Sequence, residues 1–178
     1  MLNRRERNWG ELGALEQLLV MPLRRIEIII GKAIPAMLIA ALDFVIMWAI
    51  ITRGYGVPMR GSFAVLLGLS LLFIVAEIGW GLIISALSHT QQQAVLMIFV
   101  LALVDVSFSG YMVPIDRLPA ALQILSQFFP LQHYLVIIRA VMLKGAGLPL
   151  LMDQVLALAA LAVGGTVVAL ATLRGRLD

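Results

Sequence analysis

The stretch FAVLLGLSLLFIVAEIGWGLIISAL, residues Phe63–Leu87, contains a single charged side chain, Glu77. A helix rises about 1.5 Å per residue, so roughly 20 residues cross a hydrocarbon layer of about 30 Å. The stretch exceeds that length, and it is apolar on every face, as a helix surrounded by lipid must be. It reads as a membrane span. Three more runs read the same way: Ile28–Ile51 with Lys32, Pro35 and Asp43, Ala94–Val113 with Asp105 as its only charge, and Val155–Leu173 with none. Composition agrees, with 62% hydrophobic and 13% charged residues against roughly half and a quarter in soluble domains. The expected fold is all-α, a polytopic membrane helical bundle of about four transmembrane helices.

Between the spans the chain changes character. Arg53–Ser62 (RGYGVPMRGS) is a Gly/Pro turn, and Ser88–Gln93 (SHTQQQ) is a short polar loop. The connection 114–149 is longer and divided by Pro114, Pro119, Pro130 and Pro149. Its amphipathic stretches, Ala120–Phe129 and Leu131–Leu143, are too short to cross and suit helices at the interface or dipping partway in. Ahead of the first span, Leu12, Leu15, Leu18, Leu19 and Leu23 recur at three- and four-residue spacing, one apolar stripe on a helix. Glu11 and Glu16 fall outside the stripe, and Pro22 ends it. The organisation expected is an N-terminal segment over residues 1–27 and a transmembrane domain over 28–178.

Arg4, Arg5, Arg7, Arg24, Arg25, Lys32, Arg174 and Arg176 flank the two chain ends, while Arg53, Arg60, Arg117, Arg139 and Lys144 fall on the opposite side of a four-span chain. The excess of eight over five places both termini in the cytoplasm. Basic residues concentrated at helix ends are orientation signals and headgroup contacts, so no nucleic acid partner is expected. The absence of cysteine excludes disulfides and thiolate chemistry. No short apolar core with a small-residue cleavage site precedes the spans, so no cleavable leader is expected.

A phosphate-binding loop needs Gly-Lys-Ser/Thr after a glycine five residues earlier. Gly31-Lys32 is followed by Ala33 and preceded at that position by Ile26, so this chain does not hold ATP by that route. Val106–Gly110 (VSFSG) lacks the first glycine of a serine-hydrolase elbow, and the only histidines, His89 and His133, are expected on opposite membrane sides. No catalytic residue, metal ligand or directly bound cofactor is assigned. Asp43, Glu77 and Asp105 lie inside spans, where a charge is costly and usually faces the bundle or a cavity. They admit two readings, a proton or substrate pathway and hydrogen-bonded packing, and nothing in their spacing pairs them. Lys32 reads as a snorkelling residue, His133 as a headgroup contact, and Trp48, Trp80 and Tyr111 as interface anchors or packing. Ala160 and Gly164 form a small-x-x-x-small pair suited to close helix approach.

Several segments together resemble a known family. Glu11–Lys32 (ELGALEQLLVMPLRRIEIIIGK) resembles the E-x-G-T/S-L-E-Q-L-L-V-T-P-L-R pattern of the type-2 ABC exporter permeases, which precedes a span opening with Gly-Lys. FSGYMVP (108–114) is similar to that family's L-S-G-x-x-x-P, and FPLQHYLVIIRAVMLKGAG (129–147) to its L-P-x-x-Y-x-x-x-x-R-x-x-x-L-K-G-x-G. SHTQQQA fits its second cytoplasmic loop. The resemblance covers about residues 11–178 and points to the multidrug-efflux-like branch.

It implies a permease subunit of an ATP-driven exporter in the bacterial plasma membrane. A cytoplasmic coupling helix (Glu11, Gly13, Leu15, Glu16, Leu18, Leu19, Pro22) would dock into a separate ABC ATPase subunit that binds the ATP. An outward re-entrant helical pair (Pro130, Tyr134, Arg139, Lys144, Gly145) would cap the export path. A second permease copy or paralogue would complete the dimer, with an exported substrate that the sequence does not identify. Two departures stand out. Ala14 occupies the place of the family's Thr or Ser. The chain also starts at the coupling helix, where family members carry an earlier span, a large outer domain and a second span, so it corresponds to the C-terminal half. The competing expectation is an ion-coupled carrier using Asp43, Glu77 and Asp105; an intramembrane enzyme ranks below both.

Overall fold

The computed structural model describes residues 25–174, and every described element is helical. The coupling segment Glu11–Pro22 lies outside the described residues. The elements are α1 (Arg25–Ala49), a π-turn (Ile50–Gly54), α2 (Phe63–Leu87), α3 (Gln91–Phe108), a 3-10 turn (Ile115–Arg117), α4 (Ala120–Ser126), α5 (Pro130–Lys144), a 3-10 turn (Leu148–Leu151) and α6 (Met152–Arg174). Contacts divide the chain into two units, residues 1–36 and 37–178. The described part of the first is the opening of α1, which passes through Pro35 without ending. All packing below belongs to the second unit.

Four stretches are long and apolar enough to cross a membrane: Ile34–Gly54, Phe63–Leu87, Gln91–Phe108 and Leu148–Thr172. The polytopic helical bundle expected from hydropathy is the fold observed. The third helix differs from the apolar run at both ends. It begins at Gln91 because Thr90 caps it: the Thr90 hydroxyl accepts from the Gln93 N–H at 3.2 Å, and the Gln93 side chain accepts from the His89 N–H at 2.9 Å. This reciprocal pair satisfies amide groups that a helix start leaves open. The helix stops at Phe108, five residues short of Val113. Ser109 turns its hydroxyl back to the Val106 carbonyl at 2.7 Å, and Gly110 adopts φ 78°.

α2 is the central element, packing against α6, α5 and α3. The core joins Leu66, Leu69 and Ala76 of α2 with Ile137, Val141 and Met142 of α5, Leu151, and Leu158 and Ala162 of α6. Burying an apolar side chain gains little where the alternative neighbour is a lipid tail, so close backbone approach and polar contacts decide the packing. α2 and α6 approach closely at Gly79, where a Cβ would lie 3.2 Å from the Gly165 carbonyl carbon and the Thr166 nitrogen. The small pair expected to mediate it, Ala160 and Gly164, is exposed instead, and a Cβ on Gly164 would meet nothing within 4 Å. Gly165 does the work, because one residue further along a helix is a rotation of about 100°.

α4 and α5 are bent against each other by 83°. The break falls at Phe129-Pro130: Pro130 has no N–H to donate and takes the first position of α5, while Phe129 is extended at φ −98°, ψ 122°. α5 ends at Gly145, left-handed at φ 67°, whose N–H and that of Ala146 return to the Val141 and Ala140 carbonyls. There the loop after the π-turn closes onto it. The Arg60 N–H donates to the Met142 carbonyl at 3.1 Å, and a Cβ on Gly61 would lie 2.6 Å from the Val141 oxygen. The Arg53–Ser62 loop and the end of the bent pair therefore share one end of the bundle.

Candidate functional site

Two of the three intramembrane acids meet. Glu77 of α2 and Asp105 of α3 line one cavity of about 80 Å³, with Trp80, Ile84 and Leu101 completing much of its wall. The Asp105 carboxyl contacts both the Glu77 carboxyl and the backbone N–H of Leu131, in the first turn of α5. An acid at a helix N-terminus meets unpaired N–H groups and the positive end of the helix dipole. Asp105 is 8% exposed, and it is the only buried residue of α3. Its Oδ1 and the Oε1 of Glu77 have no hydrogen-bond partner. Two carboxyls held together away from water need a proton or a cation between them.

Sequence spacing carried this pairing in a form that is easy to overlook. Glu77 and Asp105 stand fourteen residues to either side of Gln91, at the hairpin of two antiparallel helices. Residues equidistant from a tight hairpin lie at equal depth. Asp43 stands apart from the pair. It is exposed on α1 and lines a separate cavity of about 290 Å³ with Phe44, Met47, Ser70, Phe73 and Tyr134. The three acids that the competing carrier reading would use together are thus split between two places.

The bent pair is fixed to the spans by polar and aromatic contacts. The Tyr134 ring stacks on Phe73 at 4.4 Å and 7°. Its hydroxyl lies 2.8 Å from the Ser70 Oγ, which donates to the Leu66 carbonyl at 2.7 Å, so Tyr134 is the donor to Ser70. Phe129, at the bend, stacks on Phe108 of α3 at 5.4 Å and 7°. His133 is buried and spends both ring nitrogens within the protein: Nε2 donates to the Gln127 carbonyl at 2.9 Å and Nδ1 meets the Gln154 side chain at 2.7 Å. That contact ties α5 to α6 and removes His133 from any pairing with a serine. Pro130 is buried at the bend, while Arg139 and Lys144 are exposed. Arg139 makes a long hydrogen bond, 3.4 Å, to the Gly110 carbonyl.

Beside the carboxyl cavity runs a larger groove of about 490 Å³, walled by α2, α3 and Phe129. Trp80, Ile84 and Leu101 line both spaces. Sequence reading assigned Trp80 to anchoring or packing; nothing in its spacing marks it as the shared wall of two cavities.

Comparison with known proteins places these features among transport proteins. The family described as ABC-2 type transporter matches residues 9–143. The chain is 37% identical over 144 residues to a probable multidrug ABC transporter permease, YbhR, of Escherichia coli K12, covering 81% of this chain and 39% of that relative. It is 30% identical over 158 residues to the probable multidrug ABC transporter permease YbhS of the same strain, covering 88% and 42%. A third relative, the inner membrane transport permease YhhJ of E. coli K12, is 30% identical over 172 residues, with 93% and 44% covered. The chain thus spans about two-fifths of the length of these relatives. No solved structure gives a significant match.

Proposed function

The chain belongs to the ABC-2 type transporter family, and from that premise we propose that it is the membrane-spanning permease part of an ATP-driven exporter. It moves a lipophilic substrate out of the cell across the plasma membrane. ATP is bound and hydrolysed on a separate ABC ATPase subunit, and the permease itself performs no covalent chemistry. Two permease copies, or this chain and a paralogue, form the path between them. The termini face the cytoplasm, which sets the Arg53–Ser62 loop and the bent pair outward.

The observation that carries this reading is the bent pair itself. α5 is too short to cross, turns by 83° from α4, and is locked to the spans through Tyr134, Phe129 and His133. Such an element closes one end of a bundle without adding a span. At the other end, the leucine stripe of Glu11–Leu23 supplies anchors at three- and four-residue spacing for a groove on the ATPase, with Glu16 available to a basic residue there and Gly13 and Pro22 within the same segment. Substrate-driven and ATP-driven rearrangements meet through the spans between these ends. An ion-coupled carrier built on all three acids is not favoured, because Asp43 does not share the cavity of the other two.

The test is co-expression with the cognate ABC ATPase. Each anchor leucine buried in a docking groove contributes roughly 1.5–3 kcal/mol, so Leu15→Ala with Leu18→Ala weakens ATPase co-purification by tens-fold or more, on the scale of about 1.4 kcal/mol per tenfold. Glu16→Lys lowers coupling of substrate to ATP hydrolysis, and membrane insertion is unchanged in both. Full ATPase binding and coupling in both variants would reduce the segment to a membrane anchor and remove the docking mechanism.

A further inference from the structure

At one end of the bundle the fold sets two positive side chains beside each other and supplies no acid to either. Arg60 lies in the α1–α2 connection, three residues before the span that opens at Phe63. Lys144 is the last residue of α5, four residues before the span that opens at Leu148. The two are distant in sequence and become neighbours through the main chain. The Arg60 N–H donates to the Met142 carbonyl at 3.1 Å. A Cβ on Gly145 would lie 3.2 Å from the Arg60 carbonyl oxygen and 3.4 Å from the Arg60 Cβ. Lys144 is the next residue back along the chain, its Cα about 3.8 Å from that of Gly145. Gly145, left-handed at φ 67° and without a side chain, lets Arg60 pass this close. Both Arg60 and Lys144 are exposed, so both side chains extend from this junction towards the surroundings.

Two cations fixed side by side repel each other. Neither Arg53–Ser62 nor Leu131–Pro149 contains an aspartate or glutamate, and among the described residues neither Arg60 nor Lys144 forms an ion pair. The pair is completed by an anion from outside the chain. Its position says which kind. Both residues stand where a span leaves the hydrocarbon, which is the depth of the lipid headgroups. The stretch that carries Lys144 also exposes Leu143, Leu148 and Leu150. A soluble anion gains nothing from exposed leucine. An amphiphile does, with its phosphate on the cations and its acyl chains along the leucines. Arginine offers a planar fork that matches two phosphate oxygens, and lysine adds a point charge beside it. Separate snorkelling of the two side chains would require none of this, neither the glycine at the junction nor the main-chain bond between the two elements.

We propose that Arg60 and Lys144 form one binding site for a phosphate group of net negative charge, carried by an anionic phospholipid. The guanidinium and the ammonium hold the same phosphate, and the acyl chains lie along Leu143 and Leu148. The lipid bridges the α1–α2 connection and the end of α5, in addition to the hydrogen bond from Arg60 to Met142. Neither the ATPase nor the exported substrate enters into this binding, so its failure leaves the permease reading intact.

The experiment is native mass spectrometry of the full chain released from nanodiscs of phosphatidylglycerol and phosphatidylcholine in equal parts, with retained lipids counted per chain. Expected is one phosphatidylglycerol kept in preference to phosphatidylcholine. Arg60→Gln and Lys144→Gln each weaken retention of that same lipid about five-fold. Arg117→Gln, an exposed arginine on the α3–α4 connection, changes nothing. Phosphatidylglycerol also raises the thermal unfolding midpoint of the parent chain and raises it less in the two variants, whose substitutions touch exposed side chains only. Inorganic phosphate at millimolar concentration does not displace the lipid; displacement by it would overturn phospholipid as the occupant and leave a site for soluble phosphate. Equal retention of phosphatidylcholine, two lipids of which each variant loses a different one, undiminished retention in both variants, or the same loss from Arg117→Gln would each overturn the site.

Discussion

The two faces of α2 are built on opposite terms. Towards α6 it presents Ala76 and Gly79, and backbone meets backbone at Gly79 and Gly165. Towards α3 it presents Glu77 and Trp80, and the partner helix answers with its one buried residue, an aspartate. α3 turns Val95, Leu96, Phe99, Val100 and Leu103 outward. A soluble helix would do the reverse. In lipid the apolar side chain has no reason to hide, so what α2 shares with α6 is tight packing, and what it shares with α3 is a polar pair that lipid cannot solvate. The first contact holds the bundle together; the second leaves open space and unpaired oxygens, which is the composition of a site.

That contrast can be broken by experiment. The largest effect is expected at the packed face. Gly79→Leu places a side chain where a Cβ is already 3.2 Å from backbone, and overpacking of this kind costs about 3 kcal/mol. The variant should lose a single-species elution profile and unfold at lower denaturant. Wild-type behaviour would mean that α2 and α6 slide freely and that the packed face is not what holds them.

The polar face should respond in the other direction. Replacing a buried ionic group by hydrophobic residues of similar volume is often neutral or stabilising by about 1–4 kcal/mol. Glu77→Leu with Asp105→Leu should therefore unfold no earlier than the parent while transport in the completed, ATPase-coupled exporter is lost. A collapse in stability would show the pair to be cement, like the α2–α6 contact, and the comparison would fail.

A smaller effect is expected where the bent pair meets α2. Tyr134→Phe keeps the stack on Phe73 and removes one hydrogen bond between helices. Within membranes such bonds average about 0.6 kcal/mol. Thermal unfolding should fall slightly, with the bend retained. Smallest of all is Gly164→Leu, on a face with nothing within 4 Å. In the isolated chain it should change stability by less than about 0.5 kcal/mol.

How much of this was legible follows from which forces act at each place. Spans announce themselves because lipid imposes apolarity along their whole length, and the apolar run Phe63–Leu87 coincides with the helix α2. The ends of α3 were misjudged because they are set by Thr90, Gln93 and Ser109, local hydrogen bonds to which hydropathy is blind. The packing face of α6 was placed one residue off, at Gly164 in place of Gly165, since two adjacent glycines offer no apolar contrast to choose between them. Glu77 and Asp105 were recognised singly. Their partnership lies between helices, and spacing within an element does not report it. Tyr134 and Gly145 came from a resemblance to a family, and the structure adds what each touches: Ser70 and Phe73 for the first, Arg60 for the second.

α5 is pinned at both ends, and to different hairpins. At its start Asp105 meets the Leu131 N–H and Phe129 lies on Phe108, both belonging to the α2–α3 hairpin. At its finish Arg60 and Gly61, from the α1–α2 connection, close over Met142 and Val141 with no room for a side chain. A rod fixed so cannot swing like a flap on one hinge. If its first turn is displaced, the displacement reaches its last turn as rotation or thrust, and the α1–α2 connection must yield with it. Glycine at 61 leaves that far bearing without clearance for even one methyl group, and glycine at 145 leaves it little, so little of the motion is taken up in play before it is passed on.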